Sequence, residues 1–161
     1  MTDVMPVRYQ KILVPLDGSG WSQRAIPHAI NLARLHEAQV VLLHVFVPPA
    51  PEFVPELALA GQQDQFEELR SQAKEYMQTV LAELQKQGVQ VTGEVLEGFD
   101  VPGLIADYAR DEQIDLIVMS THGRSGLARL IFGSVAKGVM DRCKVPTLLI
   151  HPDKPDDHPA E

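Results

Sequence analysis

Residues 115–150 run Asp115-Leu-Ile-Val-Met-Ser-Thr-His-Gly-Arg-Ser-Gly126, Leu127-Ala-Arg-Leu-Ile-Phe132, Gly133-Ser-Val-Ala-Lys-Gly-Val-Met-Asp-Arg-Cys143 and Lys144-Val-Pro-Thr-Leu-Leu-Ile150. Asp115 to Ser120 is a short apolar run, the pattern of a strand. A glycine-bearing loop follows, then a helix from Gly133 to Cys143, and Pro146 to Ile150 predicts a last strand.

The same alternation extends back to the start of the chain. Lys11-Ile-Leu-Val-Pro-Leu16 predicts a strand that ends in the turn Asp17-Gly-Ser-Gly20, with Ser19 and Ser22 as candidate helix caps. The next helix runs to about His36 with Ile26, Ile30, Ala33 and Leu35 on its inner side, and Pro27 is expected to interrupt and bend it. Gln39 to Val47 is nearly continuous aliphatic sequence, suited to a strand buried on both faces. Pro48, Pro49, Pro51 and Pro55 then exclude regular structure. Phe66, Leu69, Ala73, Tyr76, Met77, Val80 and Leu84 recur at helical spacing up to Gly88. Val89 to Leu96 alternates as a further strand, and Pro102 to about Arg110 makes a helix with Leu104, Ile105 and Tyr108 inward. Five strands alternating with helices imply a parallel α/β sheet covered on both faces, folded as one domain over residues 1–151. The acidic, proline-containing tail 152–161 is expected to be disordered.

The chain has 161 residues, enough for one domain with a real core, and its 45% apolar and 22% charged content is that of a globular protein. No apolar run is long enough for a membrane-spanning helix or reads as a secretory signal. The single cysteine, Cys143, cannot form an internal disulfide, so a reducing cytoplasm is expected. A net charge of −8 argues against general nucleic-acid binding, although Arg124, Arg129, Lys137, Arg142 and Lys144 form a locally basic stretch opposed only by Asp141.

In open parallel sheets ligands bind beyond the carboxyl ends of the strands, where strand order reverses. Two strand ends carry suitable groups here: Asp17-Gly18-Ser19 and Ser120 to Gly126. Gly18-x-Gly20 is not a dinucleotide fingerprint, because Gln23 stands at the third glycine position, and Gly133-Ser134 lacks the lysine of a Walker A loop. Gly133 and Ser134 do open a helix, whose first-turn N–H groups favour an anion, and Gly123 could add backbone donors. The alternative for these residues is an ordinary helix cap and turn. His122 could pack in the loop or meet a phosphate, and Arg124 could reach a terminal phosphate or stay in solvent.

The segment from Asp115 to Met140, the ending KVPTLLIH, the opening KILVPLDGSG and VVLLHVFVPP together resemble the universal stress protein family over Lys11 to His151. ATP-binding members carry Gly-x2-Gly-x9-Gly-Ser/Thr; here Ser120-x2-Gly123-x9-Gly133-Ser134 has serine where the first glycine is expected. The resemblance implies a Rossmann-like sheet of order 3-2-1-4-5 that binds ATP, with magnesium as the usual companion of a triphosphate. It implies that Pro15 and Asp17 meet the ribose, that Val45 meets the adenine edge, and that Met119 and Ser120 flank the sugar. His122, Gly123, Gly133, Ser134 and Val135 would hold the phosphates. It also places the last strand at a sheet edge, where a homodimer could form.

The function expected is a nucleotide-dependent regulatory or protective module in stress response, acting on a protein partner that the sequence does not identify. The alternatives are a slow ATPase or phosphotransferase, and an interaction module of the same fold that binds no nucleotide. The enzyme ranks lower because no base-and-metal pair is set out by the sequence.

Overall fold

In the computed structural model residues 5–49, 59–122 and 133–151 are described. The elements are β1 (Lys11–Leu16), α1 (Gly20–Gln23), α2 (Ala25–His36), β2 (Gln39–Phe46), α3 (Leu59–Lys86), β3 (Val91–Glu97), α4 (Val101–Asp111), β4 (Leu116–Ser120), α5 (Ser134–Arg142) and β5 (Thr147–Ile150). The strands form one sheet in the order β3-β2-β1-β4-β5, and every neighbouring pair is parallel. Fold class and strand order are as the sequence implied.

Side chains alternate across each strand, so the continuous apolar runs fill two cores. Ile12, Val14, Val40, Leu42, Leu116 and Val118 face α2 and α3, whose Ala29, Ile30, Ala33, Met77 and Leu84 pack on them. Leu13, Val41, Leu43, Ile117 and Met119 face α4 and α5 through Ile105, Ala109, Ala136 and Val139. α4 and α5 come close because Gly138 has no side chain: a Cβ there would stand 2.7 Å from the ring of Pro102.

Two details differ from the sequence expectation. Leu35 is 72% exposed rather than inward. At about 100° per residue it lies nine residues, hence half a turn, away from Ile26, on the solvent side. Pro27 does not bend a continuous helix. The helix breaks earlier, at Arg24, and Pro27 sits in the first turn of α2, where a missing N–H costs no hydrogen bond. The boundaries of β2, β3 and α4 shift by one or two residues, within the fraying normal for element ends, whereas α3 begins at Leu59, seven residues before the Phe66 expected from the apolar spacing. The expected tail at 152–161 lies outside the described residues.

Candidate functional site

β1 and β4 are neighbours, but from β1 the chain crosses to β2 on one side and from β4 to β5 on the other. Their carboxyl ends therefore diverge, and a cleft of about 640 Å³ opens there. Pro15, Asp17, Val45, Met119, Ser120, His122, Gly133, Ser134 and Val135 all line it. Gly123 and Arg124, the other candidate residues, lie outside the described residues.

The β1 end is held by short-range bonds. Gly18 has φ 85°, a left-handed conformation open to glycine, and it folds the chain back so that Ser19 meets Asp17. The Ser19 N–H donates to Asp17 Oδ1 at 2.9 Å, and the Ser19 hydroxyl donates to the same oxygen. The Asp17 N–H donates to Ser22 Oγ at 3.2 Å, and the Ser22 hydroxyl donates to the Ser19 carbonyl at 2.9 Å. Ser19 also caps α1 by accepting from the Ser22 N–H.

The β4 end ties three elements together. Thr121 is 1% exposed; its N–H donates to the Ile150 carbonyl at 3.0 Å, and its own carbonyl accepts from the Gly133 N–H at 2.6 Å. Gly133 thus starts α5 against the end of β4. Its backbone is extended (φ −67°, ψ 159°) and Gly133 has no side chain with which to cap the helix, so the first-turn N–H groups have no intrahelical acceptor and no cap from the N-cap residue. Ser134, Val135 and Ala136 bring that turn to the cleft wall, the geometry that favours an anion. The His122 N–H donates to Ser120 Oγ at 3.3 Å, while the His122 ring lies 2.9 Å from Thr121 Oγ1 and 5.9 Å, centroid to centroid, from Trp21. Arg24 covers the same tryptophan at 4.9 Å.

The basic stretch noted in the sequence is partly engaged elsewhere. Lys137 pairs with Asp141 at 2.9 Å, and Arg142 pairs with Asp100 at 2.6 Å. The hydrogen bond from Arg142, then that of the Gly103 N–H, holds the Asp100 carboxyl below its ordinary range.

One wall was not foreseen from the sequence. Leu69, Gln72, Ala73 and Tyr76 of α3, with His44 and Ser22, line the side opposite α5, and Val101 and Ile105 of α4 complete the floor. Burial raises the Tyr76 phenol, against the hydrogen bond from Gln23 and with help from the Asp17 carboxylate, so it remains a neutral hydroxyl. His44 was the available signal, a lone titratable side chain inside an apolar strand. It is 9% exposed, and leaving such a group unpaired would cost about 1–3 kcal/mol. Its partner is the Leu16 carbonyl, 2.9 Å from Nδ1.

Comparison with known proteins agrees with this architecture. The model of the universal stress protein family matches residues 8–151. A universal stress protein of Methanocaldococcus jannaschii is 35% identical over 146 residues, covering 91% of this chain and 84% of that protein. The solved universal stress protein of Lactobacillus plantarum superposes with a TM-score of 0.77 at 26% identity, over 90% of this chain and 99% of that one. A universal stress protein of Archaeoglobus fulgidus, solved in complex with dAMP, shares the fold at a TM-score of 0.61 and 23% identity, over 89% and 99% of the two chains.

Proposed function

The chain belongs to the universal stress protein family, and from that premise we propose that it binds ATP in the cleft at the carboxyl ends of β1, β2 and β4 as a cytoplasmic, nucleotide-dependent regulatory module. The observation that carries this reading is the convergence of Asp17, Val45, Ser120, His122, Gly133 and Ser134, from distant parts of the chain, on one cleft. Along the sheet edge their chemistry is ordered. The glycine start of α5 suits phosphates, the Asp17 carboxylate suits sugar hydroxyls, and the apolar end of β2 suits a base. The Archaeoglobus protein holds dAMP, an adenine nucleotide, on this same fold.

Ser120 fits a sugar-flanking role because its hydroxyl oxygen is turned back onto the His122 N–H. Among the described residues no group of three or more His, Cys, Asp or Glu side chains could hold a metal ion. Magnesium would therefore be held chiefly by the triphosphate itself. Trp21, the only tryptophan, stands beside His122 and makes a direct test possible. Titration with ATP and magnesium is expected to shift its fluorescence in step with calorimetric binding. Absence of calorimetric binding at millimolar ATP would end the nucleotide reading.

We also propose a homodimer through β5. This strand lies at the sheet edge, and Leu148 on it is 38% exposed, whereas Leu149 packs into the core. Leu148→Lys should convert dimer to monomer in light scattering, and a monomeric wild type at micromolar concentration would refute the dimer.

A further inference from the structure

The Leu16–Asp17 peptide is the last rigid unit of β1 before the sugar-facing carboxylate. Leu16 and His44 are the final register pair between β1 and β2, and beyond them β2 continues to Phe46 paired only with β3. At this point a side chain adds a donor to the ladder. The Leu16 carbonyl can only accept, so the His44 Nδ1 facing it at 2.9 Å carries the hydrogen. The other end of the same peptide, the Asp17 N–H, donates to Ser22 Oγ. A planar peptide gripped at both its C=O and its N–H cannot rotate, which fixes the direction in which Asp17 leaves the strand.

The grip reaches further into the fold. The His44 ring meets Tyr76 edge-on, with centroids 5.7 Å apart and planes at 64°. The Tyr76 hydroxyl accepts from Gln23 Nε2 at 3.1 Å. The ring is thus held between β1 and α3, and it is the only titratable side chain of β2.

We infer that His44 is the positioning residue for sugar recognition: through the Leu16–Asp17 peptide it aims the Asp17 carboxylate and so sets the preference of the cleft for ribose over deoxyribose. This rests on the nucleotide reading above. Two variants test it, His44→Leu, which removes the donor, and His44→Asn, whose amide can still donate to the Leu16 carbonyl. Binding of ATP and of 2′-deoxy-ATP is measured by calorimetry, and amide hydrogen exchange is followed along the chain.

His44→Leu should weaken ATP by about tenfold, the size of one lost hydrogen bond, and bring the two ligands to similar affinity. His44→Asn should retain the wild-type ratio. Exchange in His44→Leu should accelerate at residues 17–22 and not in the core of the sheet. An unchanged ligand ratio together with unchanged exchange at 17–22 would overturn the inference. Acceleration spread evenly over the sheet would also overturn it, making His44 a residue of the fold alone. If the wild type binds neither ligand, the nucleotide reading fails by itself, and the exchange comparison still decides whether His44 positions Asp17.

Discussion

The cleft at the carboxyl ends of the strands encloses about 640 Å³, and a second hollow, near the amino ends of β4 and β5 beside α4, encloses about 770 Å³. In the second, the charged groups other than Lys144 satisfy one another or the backbone. Arg142 pairs with Asp100, Arg110 with Asp107 and Asp111, and Asp115 accepts from the Gln10 and Lys11 N–H groups at 2.7 and 3.1 Å. In the first, Ser22, His44, Ser120 and Thr121 are buried and oriented by backbone partners, and a helix starts at a glycine, which has no side chain to cap it. Volume does not distinguish the two. A recognition site is marked by polar groups whose directions are fixed before any ligand arrives, whereas exposed ion pairs hold neighbouring helices together and contribute little each.

The contrast predicts unequal consequences for substitutions in the two hollows. The largest is expected at Gly133. Its backbone is extended, a conformation open to any residue, so Gly133→Val should fold normally. The added side chain would stand where a phosphate must approach the N–H groups of α5. Affinity for ATP should fall by about a hundredfold or more, roughly 3 kcal/mol, in calorimetry. Unchanged affinity in a folded variant would remove the start of α5 from the site.

A smaller effect is expected at Asp17. Asp17→Ala should reduce ATP affinity by about 1–3 kcal/mol, the range for losing a hydrogen bond to a charged group, and should discriminate less against 2′-deoxy-ATP. Equal losses for the two ligands would make Asp17 a residue of the turn, which its bonds to Ser19 already allow.

The smallest effect is expected in the second hollow. Asp100→Asn should leave ATP affinity unchanged. Because Arg142 and the Gly103 N–H lower the Asp100 pKa in the folded protein, its ionised form favours folding at neutral pH. That contribution declines as pH drops below the ordinary carboxylate range and vanishes below the lowered folded value. The gap in melting temperature between wild type and Asp100→Asn should therefore be slight at neutral pH and close in acid. A loss of nucleotide affinity matching that of Asp17→Ala would erase the distinction between the hollows.

The strands and helices were readable in the sequence because periodicity is a local property, repeated every two or 3.6 residues. Leu35 shows the limit: it is apolar and lies in the right helix, but its angle around the axis puts it in solvent. The α5 side of the cleft was readable from a motif contained within a short stretch of chain. The α3 side carries no such motif. Tyr76 and Gln72 occupy a helix face whose spacing speaks only of burial, and nothing in the order of residues says that this face ends at the cleft.

By itself, then, the amino-acid sequence determined the succession of five strands and their helices, the two strand ends that carry polar chemistry, and the glycine at the start of α5. Tertiary structure alone decided that His44 grips the Leu16 carbonyl, that Gln23 reaches Tyr76 and that Leu148 rather than Leu149 is exposed. Each of these depends on the register between separate strands or on how a helix docks against the sheet. Register and docking are fixed by the packing of both cores together, which no single stretch of the chain contains.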